Sequence, residues 1–117
     1  MNTIQYLLIG LVALIHIYIL VLEMFFWTTP KGIKAFDLKN KEFANDTKVL
    51  AANQGLYNGF LAGGLIWSMA LKNIDTTIFF LSCIIIAGIY GAYSTTKIKI
   101  FIIQSVPALI GLLFLIM

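Results

Sequence analysis

One acidic side chain, Glu23, lies inside the long apolar stretches of this 117-residue chain, and one histidine, His16, occurs at all. A carboxyl group in apolar surroundings can exchange a proton or hold a cation, and an imidazole can relay a proton or contact a ligand. On a helix their seven-residue separation places both on one face, about 10 Å apart along the axis. A direct bond at that distance needs a bridging water or tilted side chains. There is no second histidine, and the single Cys83 has no partner. A metal site, a haem site and a disulfide are therefore not expected, and no cofactor is. The next polar group stands in AANQGLYNGFLAGGLIW (51–67), where Asn53, Gln54, Tyr57 and Asn58 fall within six residues. Interhelical amide bonds in membranes average only about 0.6 kcal/mol, so three amides exceed what helix pairing alone requires. They are candidate ligand contacts, with structural glue as the plainer reading of any one of them.

The elements that position these residues are apolar throughout. The chain is 61% hydrophobic and 11% charged, against roughly 45–50% and about 25% in soluble domains. Four stretches, about 4–27, 48–71, 76–94 and 99–116, are long enough or nearly so for the 17–25 helical residues that cross a hydrocarbon core. Unpaired backbone groups are not tolerated in lipid, so each stretch is expected to be a helix. The sequence thus predicts an all-α protein, a single integral-membrane domain formed by a four-helix transmembrane bundle. The first stretch lacks a basic leader and a small-residue cleavage site, and it reads as a spanning helix rather than a signal peptide.

Orientation follows from the lysines. Lys31, Lys34, Lys39, Lys41 and Lys48 accompany the first connection, 28–47, and Lys97 and Lys99 the third, against Lys72 alone on the opposite side. This bias places connections one and three in the cytoplasm and both termini outside a cell membrane. It also accounts for the net charge of +3 without nucleic acid as a partner. The first connection mixes Ile33, Phe36 and Phe43 with its lysines, as suits a segment at the headgroup level. Asn40 is placed to cap an early start of the second long helix.

Helix geometry at 100° per residue puts Gln5, Val12, His16, Leu20, Glu23 and Trp27 on one stripe of the first helix. On the second, Ala51, Gly55, Gly59 and Gly63 form a small-residue ridge of the kind that admits close backbone approach. Val49, Leu56, Phe60 and Trp67 suit lipid, and the remaining arc, with Asn53, Gln54, Tyr57 and Asn58, is expected to face the interior. Counting about 1.5 Å per residue from the cytoplasmic side gives one layer of Glu23, Asn53, Gln54, Tyr90 and Gln104, and a deeper layer of His16 and Asn58. These seven residues, with Tyr57 beside them, define an expected polar pocket in the cytoplasmic half. Pro107, three residues past Gln104, is expected to kink the last helix and free a carbonyl nearby.

Three functions fit this pattern. The pocket binds or moves a small molecule or ion with Glu23 as the titrating residue. Alternatively, the chain is a membrane-embedded enzyme acting on a lipid-like substrate with Glu23 and His16 as acid and base, or an assembly subunit whose polar groups only specify helix pairing. No nucleophile elbow, phosphate loop or dinucleotide fingerprint is present, so enzyme signals are weak. A chain this small has reason to form a homo-oligomer within the bilayer.

Two stretches, LEMFFWTTPKGIKAF (22–36) and KVLAANQGLYNGFLAGGLIW (48–67), carry a resemblance that extends over essentially the whole chain. They resemble a small bacterial integral-membrane family designated by the domain-of-unknown-function number 1304. The resemblance implies a four-span membrane protein and supplies no catalytic residues. Small multidrug-resistance transporters share the outline and a membrane Glu in the first helix, but Glu23 lies near the helix end and no further motif matches. Glutathione-dependent membrane enzymes use arginines for glutathione carboxylates, and this chain has none.

Overall fold

Four helices of this chain begin at a polar side chain that caps them, Asn2, Thr29, Asn40 and Asn73, whereas the turn at Lys97 has no such bond. Asn2 and Gln5 bond reciprocally, the Gln5 backbone N–H to Asn2 Oδ1 at 2.9 Å and the Asn2 N–H to Gln5 Oε1 at 2.8 Å, the capping-box arrangement with Asn at its head. The computed structural model describes all of residues 1–117, and it is helical with no strands. Helix α1 is Thr3–Phe25, α2 is Pro30–Ala35, α3 is Lys41–Leu71 and α4 is Ile74–Thr95. The last segment comprises α5 (Ile98–Ile100), a π-helical stretch Phe101–Ser105, and α6 (Val106–Ile116).

Thr29 accepts from the Gly32 N–H and stands before Pro30, which starts α2 with its fixed φ. Asn40 caps α3 as its position predicts, its Oδ1 accepting from the Phe43 N–H at 2.8 Å. Asn73 does the same for α4 through the Thr76 N–H. Between α3 and α4 the Asn73 N–H bonds to Ser68 O and the Lys72 N–H to Met69 O, with Lys72 at φ 54°. This is a Schellman closure with lysine at the left-handed position usually held by glycine.

Three helices are long and apolar enough to cross a membrane: Thr3–Phe25, Ile74–Thr95 and Ile98–Ile116, of 23, 22 and 19 residues. They point to a membrane protein. At 31 residues α3 is the longest helix, but it is not among those three, because Asn53, Gln54 and Asn58 dilute its apolar run.

The chain divides into two compact units, Met1–His16 with Leu61–Met117, and Ile17–Phe60. The first has a core of Ile9, Val12, Ala13, Leu65, Leu81, Ile84, Ala108 and Leu115. Buried hydroxyls pin its helices: Thr77 Oγ1 lies 2.9 Å from both Ser68 Oγ and Asn73 O, and Ser105 Oγ donates to Ile85 O at 2.8 Å. Gly88 is required beside Ser105, since a Cβ there would collide with the hydroxyl. Pro107 has no N–H, and just before it the helix widens into a turn in which the Val106 N–H reaches Phe101 O.

In the second unit the end of α1 packs against the start of α3 through Gly55 and Gly59, whose absent Cβ positions are occupied by Met24, Glu23 and Leu20. Gly63 has nothing within 4 Å, so the small-residue ridge serves as a contact over only part of its length. Trp27 closes this unit, donating its indole N–H to Thr47 Oγ1 at 3.0 Å and meeting the Phe36 ring at 4.9 Å. The Lys31 ammonium stands 5.5 Å from the centre of the Tyr18 ring, an arrangement that suits a cation–π contact.

Candidate functional site

Gly55 permits the backbones of α1 and α3 to approach, and one turn later the same face of α3 presents Asn58. The result is a buried pair. Glu23 is 7% exposed and Asn58 is 5% exposed, and the Asn58 amide donates to Glu23 Oε1 at 2.6 Å. The second amide hydrogen has the Gln54 carbonyl at 3.1 Å. Asn58 is thereby fixed from its own helix and aimed at the carboxyl group. A bond of this length is short for an amide donor. The partner of Glu23 is a neutral amide, so the carboxyl keeps the freedom to take up a proton or face a cation.

His16 is also buried, at 1% exposure. Its Nδ1 lies 2.9 Å from the Val12 carbonyl, which can only accept, so the hydrogen resides on Nδ1. Nε2 is buried with no partner. Five of the eight sequence candidates stand elsewhere. Asn53 and Gln54, expected to face the interior, are exposed, and so are Tyr57 and Tyr90. Tyr57 packs its ring 6.2 Å from Phe60 on the outer side of α3. Tyr90 lines a shallow groove of about 350 Å³ with Ile86, Ile89 and Tyr93. Gln104 is half-buried in the π-helical stretch, its Cβ near Gly88. Of the eight, the structure brings together Glu23 and Asn58, with Gln54 contributing a backbone carbonyl.

The expected layers gave every polar residue at one depth an inward direction, and burial does not follow that rule. The buried hydroxyls of Ser68, Thr77 and Ser105 were not signalled by the sequence as helix-pinning groups. Each is a small side chain without a motif, and only the facing backbone shows its role. No group of three or more His, Cys, Asp or Glu side chains stands together.

With this geometry established, residues 10–116 match the family described as "Protein of unknown function (DUF1304)". The chain belongs to that family. It is also 31% identical over 106 residues, 88% of each chain, to "Uncharacterized protein YpaA" of Lactococcus lactis subsp. lactis (strain IL1403). No solved structure gives a significant match. The family description assigns no activity, so the functional reading rests on the chemistry of the site.

Proposed function

We propose that this protein is a four-span membrane protein of one integral domain, in which α3 crosses the bilayer with the three apolar helices. The lysine bias puts both termini outside a cell membrane and connection 28–47 in the cytoplasm. Length supports the fourth crossing, since 31 residues reach roughly 46 Å, more than the hydrocarbon core requires. In this reading the chain binds, and moves, a small molecule or ion by way of Glu23. One observation carries it: a buried carboxyl held by the Asn58 amide at 2.6 Å on a helix with no other acidic side chain. Ionisable groups in spans are costly and mark ion or substrate paths.

Native mass spectrometry of the gently solubilised protein, wild type beside Glu23→Gln, tests this reading. A bound mass present in the wild type and lost in the variant is the expected result. An identical clean spectrum from both, with helicity unchanged by circular dichroism, removes the binding role. That outcome would favour an assembly subunit, a reading to which the exposed amides Asn53 and Gln54 already lend weight.

A further inference from the structure

The face of α3 opposite the Glu23 contact is uncovered. Ala51, Gly55 and Asn58 are buried, whereas Val49, Asn53, Leu56 and Phe60 are exposed. Those four are spaced by four, three and four residues, the recurrence of a coiled-coil seam. In that register Asn53 holds the a position, where a single Asn selects register and two-stranded pairing. An amide facing hydrocarbon without a partner is costly. Copies of one chain inserted by one lysine bias run parallel, so residue 53 of each stands at the same depth. The amide both donates and accepts, which makes an identical pair self-complementary across a two-fold axis.

We propose that α3 is the interface of a parallel homodimer, in which Val49, Asn53, Leu56 and Phe60 form the seam and the two Asn53 amides bond across it. The occupant of this face is a second copy of the chain. The proposal rests on α3 crossing the membrane, as in the functional reading above.

The test uses the full chain in liposomes with Cys83→Ser as background. Leu56→Cys should cross-link rapidly into a disulfide dimer under copper phenanthroline. Leu7→Cys, exposed on α1, should not. Subunit counting over a range of protein-to-lipid ratios should show dimerisation roughly three- to tenfold weaker in Asn53→Leu, the size of an interhelical amide bond. Asn53→Gln, which keeps the amide, should stay near the wild type. Single subunits at every density, equal cross-linking at both positions, or an Asn53→Leu dimer as tight as the wild type would overturn the proposal. Ile66→Cys, reacted with a membrane-impermeant maleimide in the same vesicles, separates the two failures. Protection there without seam cross-linking overturns the dimer alone, and full labelling shows that α3 lies outside the bilayer and removes both readings.

Discussion

Asn58 is what makes Glu23 tolerable in an apolar setting, because no other hydrogen bond to the carboxyl is comparably fixed. Its amide hydrogens have defined acceptors on Glu23 and on the Gln54 backbone. Asn58→Leu removes the donor and leaves a buried carboxyl short of a partner, at a cost of about 1–3 kcal/mol. The double variant Glu23→Leu, Asn58→Leu replaces both polar groups and should recover most of that loss, since matched apolar substitution is nearly neutral. Thermal unfolding in detergent of the two variants beside the wild type would show it. A single variant as stable as the wild type would mean that the bond contributes nothing. The inward direction of Glu23 and Asn58 was legible in the sequence, whereas that of Asn53 was not. Asn53 lies about 140° around the helix from Asn58, and no arc of α3 announces itself as core. In a membrane chain the lipid-facing side is as apolar as the packed side, so hydropathy cannot rank the two.

The glycine ridge of α3 shows the same division between what spacing predicts and what packing selects. Residues four apart rotate by about 40° at each step, so a ridge that starts on the contact face drifts off it. Gly55 is on the contact: a Cβ there would lie 2.6 Å from Met24 Cγ and 3.2 Å from the Leu20 carbonyl oxygen. Met24 can rotate, but the carbonyl belongs to the α1 backbone and moves only if the helices part. Gly55→Ala should therefore destabilise the protein by about 1–3 kcal/mol through overpacking. Gly63→Ala meets nothing within 4 Å and should be neutral or stabilising by up to about 1 kcal/mol from helix propensity. Comparing the midpoints of the two variants checks both, and equal destabilisation would show that Gly63 is covered in the assembled protein. Pro107 is the other element-level case. Its sequence position predicted a kink and a freed carbonyl, and what the structure shows there is a widened turn from Phe101 to Ser105. A missing N–H identifies where the ladder fails but not how the neighbouring carbonyls are rehoused.

The number of crossings decides on which sides of the membrane the termini lie, which turns a question about α3 into a question about parity. The apolar runs made all the long helices legible, because continuous hydrophobicity of that length has few other uses. The ambiguity is confined to α3, whose amides lower its apolar content below that of the other three. If α3 crosses, the spans number four and both ends of the chain share the outer side; if only the three apolar helices cross, the ends lie on opposite sides. Asn2→Cys, Lys39→Cys and Met117→Cys, each in the Cys83→Ser background and labelled in intact cells by an impermeant maleimide, distinguish these arrangements. The lysine bias predicts labelling at positions 2 and 117 from outside and at 39 only after permeabilisation. Labelling at one terminus alone would assign an odd number of crossings and leave α3 at the membrane surface. The Glu23–Asn58 bond would then require a different account, because a carboxyl near water needs no amide to make it tolerable, and the exposed amides of α3 would be ordinary solvated side chains. Parity therefore conditions both the functional reading and the dimer, and it can be measured without knowing any ligand.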